Sequence, residues 1–368
     1  MSVTCDEAAE AVTRHLGFSC HNVNPVVSFN NPADLYSWTQ PVLELLIIGG
    51  AVFAFVHAFR RLRDGDATNL ALCLGSLVYL AITEPPLYFP EWFGLDKIYG
   101  FIFAHNEFTV QFMYDRLPLY IVAFYPAIIT LAYETVRAFG IFAKRGPVVG
   151  AVAVAFVAQV FYEIFDHLGP QLKWWAWNDA NMQVNHPMLA SVPMNSMVLF
   201  ASVSLAFLTY VVVRLQGLPL AVRAILAGLL TPLAMVVASI PSSLFGGDIP
   251  GLPQNIPAQA WVLGLELALI WLVGGWLVMR DARALGGGEP LSRFVVVYPA
   301  AFLIVHGVLW LSALPQFFAA ENGITAAETP VGSGWYVLSC FAAAFIVLGL
   351  LYWRRAERTR TAIVGEPA

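Results

Sequence analysis

The sequence predicts an all-α membrane protein: a bundle of about nine transmembrane helices, N-terminus outside and C-terminus in the cytoplasm. Three observations lead there. Of 368 residues, 59% are hydrophobic and 12% charged, with a mean hydropathy of +0.69. Soluble domains carry about 25% charged residues. The apolar residues also fall in runs near the roughly 20 residues that cross a bilayer. Finally, the basic residues alternate sides. One set of connections holds Arg60, Arg61, Arg63, Arg137, Lys144, Arg145, Arg214, Arg223, Arg280, Arg283 and Arg293, and the tail adds Arg354, Arg355, Arg358 and Arg360. Only Arg14, Lys97, Arg116 and Lys173 fall opposite. Lys and Arg accumulate on the cytoplasmic side, which sets the orientation.

The elements follow in chain order. Residues 1–40 form an outer segment. Its start, MSVTCDEAAEAVTRH, lacks the basic start and apolar core of a cleavable signal. The first span is therefore expected to serve as its own insertion signal. The predicted spans are Pro41–Phe59, Ala67–Phe89, Leu117–Phe139, Pro147–Leu168, Val192–Val213, Pro219–Ile240, Ala258–Met279, Phe294–Leu314 and Trp335–Trp353. The second is the weakest, because Glu84 and Pro85-Pro86 interrupt its end. The bundle thus occupies 41–353, with outer connections at 90–116 and 169–191. A basic cytoplasmic tail covers 354–368.

The four cysteines divide the same way. Cys73 and Cys340 lie within spans, as small apolar packers. Cys5 and Cys20 lie outside, where an oxidising compartment favours a disulfide between them. The cytoplasmic connections are short and basic. Gly286–Gly288 lacks the strand and helix of a phosphate-binding loop, and nothing points to nucleic acid. No internal repeat of the kind that builds many transporters stands out.

The outer connections carry the chemistry-bearing residues. Glu91–Arg116 and Pro170–Ser191 mix Trp, Tyr and Phe with Asp, Glu, His and Asn. Trp174, Trp175 and Trp177 fit an interfacial aromatic belt equally well. Phe101–Phe112 is apolar enough to lie in the interface or re-enter the membrane as a lid.

Glu44, Glu84, Glu163, Asp166, His167, Glu266 and His306 lie within or at the ends of spans, in their outer halves or close to them. Ionisable groups at such depth face a protein interior or a wet cavity. His57 and Glu134 sit near inner ends and are expected to snorkel to water. The densest group is in FYEIFDHLGP, residues 161–170. Glu163, Asp166 and His167 stand at i, i+3 and i+4 and share one helical face. Tyr162 lies beside Asp166 at i, i+4, and Gly169-Pro170 ends the helix.

Three readings stay open. The carboxylates form a structural plug with Arg116, Lys173 or tyrosine hydroxyls. Alternatively, a carboxyl group shielded from water among aromatic rings protonates a substrate, and the rings steady the cation that forms. The third reading is a metal site. His105, Glu107, Asp115, Glu163, Asp166, His167, His186 and His306 are suitable ligand types for zinc or iron. No tight ligand signature accompanies them.

The order of features from Gln159 to Phe207 resembles a known family. Glu163, Asp166 and Gly169 are followed by the aromatic patch Trp174–Trp177, then by HPMLASVPMNSMVLF. This is similar to the multi-pass carotenoid hydratases and, more distantly, to the integral-membrane terpene cyclases. The resemblance implies protonation of a polyene or epoxide by a carboxylic acid, with Glu163 and Asp166 as the acids. This chain has more spans and a longer outer polar region than those families.

The sequence therefore points to a multi-pass protein of the cell membrane. The expected activity is carboxylic-acid catalysis on a membrane lipid or isoprenoid in an outward-facing chamber. Glu163, Asp166, His167, Glu84 and Glu266 are the candidate catalytic residues. A non-catalytic lipid-binding, transport or complex subunit is the alternative. A metal-dependent lipid hydrolase or oxidase, using His105, Glu107 and His186, is a second. The sequence names no cofactor.

Overall fold

The computed structural model describes residues 5–21, 23–29, 37–106, 109–246, 254–283 and 291–364. Among these, nine helices are long and apolar enough to cross a membrane. They are α2 (Thr39–Arg63), α3 (Thr68–Tyr88), α4 (Leu119–Ala138), α5 (Ile141–Asp166), α6 (Ser196–Arg214), α7 (Leu220–Gly246), α8 (Ile256–Arg283), α9 (Arg293–Phe318) and α10 (Gly334–Val364). A short helix, α1 (Glu7–Leu16), precedes them. The architecture is that of a multi-pass membrane protein.

The helices differ in depth. The hydrophobic windows of α4 and α5 are 89% and 83% buried in protein, whereas those of α7, α8 and α10 are 33% or less. The outer helices present Leu233, Val236, Leu265, Leu272, Leu311 and Leu338 to the surroundings, each more than half exposed. So large an exposed apolar surface is compatible with helices that cross a membrane. Polar residues on α4 and α5 consequently face protein.

Several boundaries differ from the sequence reading. α5 begins at Ile141, but Gly146 breaks it (φ 80°, ψ 178°), so a regular helix starts at Pro147 as the sequence indicated. α3 continues through Pro85 and Pro86. They sit in its last turn; each lacks the N–H that would bond a carbonyl one turn back, and the chain still closes the turn, the amide of Phe89 donating to the Pro85 carbonyl at 2.8 Å. The basic tail continues α10 to Val364. α6 opens with a π-helical stretch, Ser196–Ser204, and α8 contains another, Ile270–Gly274.

The basic residues meet at one end of the bundle. Arg61 and Arg137 pair with Asp66, Arg145 pairs with Asp281, and Arg354 donates to the carbonyls of Phe139 and Asp281. His57 and Glu134 belong to the same region, and they do not reach water. Both are buried. Glu134 faces His57 at 3.3 Å and accepts hydrogen bonds from Asn69, Arg137 and Ser292. Snorkelling is unnecessary where protein donors replace water.

The opposite, aromatic end is roofed by short strands. β1 (Val27–Phe29), β3 (Val110–Phe112) and β4 (Leu117–Pro118) form one antiparallel sheet in the order β1-β3-β4. β2 (Phe103–His105) pairs with β5 (Trp175–Trp177), placing His105 opposite Trp175. β6 (Met188–Leu189) pairs with β7 (Val192–Pro193). Within Phe101–Phe112, Phe103–His105 and Val110–Phe112 are strands. The asparagines of the second connection hold it. Asn178 and Asn181 donate to the Phe101 carbonyl, and Asn185 donates to that of Ile102. α1 packs on β2 and β5, closed by a disulfide between Cys5 and Cys20 whose Cα atoms lie 5.6 Å apart.

Candidate functional site

Beneath this roof lies a cavity of about 100 Å³. The helices supply its floor and walls: Glu84 from α3, Phe124 and Tyr125 from α4, Tyr162, Phe165 and Asp166 from α5, and Ser196 and Phe200 from α6. The roof supplies Phe103, His105, Trp175 and Trp177, with Asn185 and Asn195 at the side. The rings interlock. Phe124 stacks on Phe165 at 4.8 Å and meets Tyr162 edge-on at 4.9 Å; Phe165 touches Trp175 at 4.8 Å, and Phe103 meets Trp177 at 5.2 Å.

Local sequence explains how these groups arrive. Tyr162 and Asp166 are one turn apart on α5, so both point to the same side. The helix stops after Asp166, and the turn over Gly169 folds the chain back until the Trp174 amide donates to the Gly169 carbonyl at 2.9 Å. Gly169 is needed here: a β-carbon would run into the indole of Trp175. Trp174 and Trp175 are buried in protein, and the Trp174 indole N–H donates to Thr39 Oγ1 at 3.1 Å. Neither is a lipid-facing belt residue.

The two carboxyl groups of the cavity have different surroundings. The hydroxyl of Tyr125 donates to Glu84 Oε1 in a short hydrogen bond. Asp166 has only a long contact, 3.5 Å, from Ser196 Oγ. Among the described residues, no Lys or Arg forms an ion pair with Glu84, Glu163 or Asp166. Of the partners expected for a structural plug, neither Arg116 nor Lys173 pairs with these carboxyls, while a tyrosine hydroxyl does meet Glu84. The guanidinium of Arg116 donates to the Tyr88 carbonyl and lies over Phe89. His105 shares a 2.8 Å hydrogen bond with Tyr120, and burial pushes its imidazole down to about 3, so it is neutral near pH 7.

Glu163 and His167 turn away from the cavity. They face each other, Oε2 to Nε2 at 3.4 Å, on the side of α5 covered by α10. The Ser333 amide donates to His167 Nδ1 at 3.3 Å. Nδ1 is thus an acceptor, and in the neutral ring the proton sits on Nε2, toward Glu163. The hydroxyl of Tyr336, near His167, accepts from Gln159 and Trp271. An i, i+3, i+4 set spans an arc of the helix, and two neighbours divide it.

The other candidates stand apart. Glu44 accepts from Gln40 and from the amide and hydroxyl of Thr109. His306 stacks on Phe302 at 4.0 Å and bonds its carbonyl. Glu266 is half-buried on α8 with Oε2 enclosed, outside the cavity lining. His186 contacts the Asp179 carbonyl. Asp115 accepts from Ser28 and from the Asn24 amide. Glu107 lies outside the described residues. Among those described, His105, His186, His167 and the carboxylates do not converge as metal ligands. The one close grouping is Cys5, Cys20 and His21, and its cysteines are joined to each other.

Sequence reading did not single out Tyr125, Asn195 or Ser196. Tyr125 meets Glu84 across 41 residues of chain, a separation that leaves no local signal. Ser196 was within the quoted HPMLASVPMNSMVLF, one residue inside α6. No family model, curated protein or solved structure matches the chain.

Proposed function

We propose that the protein is an intramembrane enzyme that protonates an unsaturated lipid or isoprenoid in the aromatic cavity. The supporting observation is that Glu84 and Asp166, from two helices, both line one ring-lined space, with no cation paired to either among the described residues. Asp166, held only by its long contact to Ser196, is the proton donor. Glu84, fixed by Tyr125, is the second carboxyl, placed to accept a proton later. The Asp166 proton passes to one carbon of a double bond, leaving positive charge on the other. Phe124, Tyr162, Phe165 and Trp175 offer their electron-rich faces to that charge. Addition of water, followed by proton loss to a carboxylate, gives an alcohol; direct proton loss gives an isomer. His105, being neutral, adds no competing positive charge.

The volume limits the substrate. An apolar cavity of about 150 Å³ takes a benzene ring. A space of about 100 Å³ holds the end of a chain, and the remainder extends along the helices. Mass spectrometry of lipids extracted from the purified protein tests this. A co-purifying unsaturated lipid, displaced by Phe124→Trp, supports the reading; an extract matching the bulk membrane counts against it. With this function goes the orientation: aromatic end outside, basic end in the cytoplasm. A cysteine introduced as Arg355→Cys should react only with reagents applied from the cytoplasmic side.

A further inference from the structure

The basic end contains a second cavity, larger and more polar than the first, of about 690 Å³. It opens between α3, α4, α6 and α7, lined by Asp66, Thr68, Arg137, Arg214 and Arg223 among others. Three arginines and one aspartate line the space, and the aspartate is already committed. Asp66 pairs with Arg61 at 2.9 Å and Arg137 at 3.1 Å, and its other oxygen accepts from the Thr68 amide at 2.9 Å. Arg214 and Arg223 have no ion-pair partner among the described residues.

Arg223 is the informative one. It is buried, and a buried cation that forms no close ion pair is costly. It also lies in the first turn of α7, where the helix dipole disfavours positive charge. Part of the cost is offset locally. Nε and Nη2 donate to the Val212 carbonyl near the end of α6, and Nη2 also to Thr68 Oγ1. Nη1 makes no hydrogen bond among the described residues, so one edge of the fork remains for the cavity. Arg214, exposed, stands at the end of α6. Guanidinium groups are the chemistry of phosphate recognition. Basic pockets between helices at this level take anionic lipid head groups.

We infer that this cavity binds a phosphate-bearing anion through Arg223 and Arg214. Two sources share that chemistry, a phospholipid head group and a soluble phosphate. The site is remote from Glu84 and Asp166, so it stands or falls independently of the catalytic reading.

The test uses the full chain, purified without anionic lipid. One arm adds phosphatidylglycerol in phosphatidylcholine nanodiscs and counts retained lipid by native mass spectrometry. The other titrates inorganic phosphate against thermal unfolding, with chloride at equal ionic strength as reference. At least one arm should saturate, and the saturating arm identifies the source. Arg223→Gln should weaken that binding at least tenfold. If this variant does not fold, Arg214→Gln, at the exposed mouth, should weaken it severalfold while the protein stays folded. Failure of both arms to exceed their references, or unchanged affinity in Arg214→Gln, overturns the inference.

Discussion

The carboxylates of the basic end and the two that line the aromatic cavity are treated in opposite ways. At the basic end, every contact of Glu134 is a donor or a cation: His57, Asn69, Arg137 and Ser292. Asp281 is held by Arg145 at 2.5 and 2.9 Å. In the aromatic cavity, Glu84 has one tyrosine and Asp166 one distant serine, and among the described residues neither has a cation. The first arrangement fixes helices together. On the proposed function, the second leaves a carboxyl group available inside a hydrophobic space, and saturation of partners, rather than burial alone, separates the two kinds.

The contrast is broken most directly by exchanging charge for shape. Asp166→Asn should lower turnover by roughly a hundred- to ten-thousandfold, the usual scale of a lost general acid, with little change in unfolding temperature. Glu84→Gln should resemble it. Equal losses of stability and activity would make these carboxyls structural. At the other end, Glu134→Ala should cost roughly 3–5 kcal/mol of stability, the scale for breaking a buried charge pair, and equilibrium unfolding reads it. A loss below about 1 kcal/mol would put Glu134 in the class of surface pairs.

Smaller effects sharpen the comparison. Reducing Cys5–Cys20 opens a loop of sequence separation 15, worth about 3 kcal/mol in the chain-entropy model. Because α1 packs on β2 and β5, hydrogen exchange at residues 102–105 should accelerate on reduction; unchanged exchange would detach the disulfide from the roof. His105 gives the pH dependence. Its imidazole lies below its ordinary value of 6.5, at about 3 when folded. Its contribution is therefore complete above about pH 6.5 and is lost as the pH falls toward 3. Thermal unfolding should show native protein weakening over that window and His105→Gln weakening less. The smallest expected change is Ser196→Ala, about twofold in turnover, because a 3.5 Å contact is weak.

The bundle was legible because hydropathy and the placement of Lys and Arg are properties of whole segments. Nine helices long and apolar enough to cross a membrane appear among the described residues, where the nine segments were expected. The paired Cys5 and Cys20 were legible from their location. The division of the Glu163–Asp166–His167 face was not. Helical spacing gives neighbours on one helix, but whether a residue meets α10 or a cavity depends on rotation within the bundle. Tyr125, bonded to Glu84, had no sequence mark because Tyr is common in such helices. The strand roof was hidden by brevity: β2 and β5 are three residues each, too short for an alternating pattern to register.

The central claim is that Asp166 delivers a proton to a lipid, and one comparison tests it without knowing the substrate. Lipid extracts from cells making the native protein and from cells making Asp166→Asn at equal levels are compared by mass spectrometry. The account predicts one unsaturated lipid that accumulates in the variant. It also predicts loss of a partner species of the same mass, or of one heavier by a water molecule. Identical profiles with equal, folded protein would contradict it.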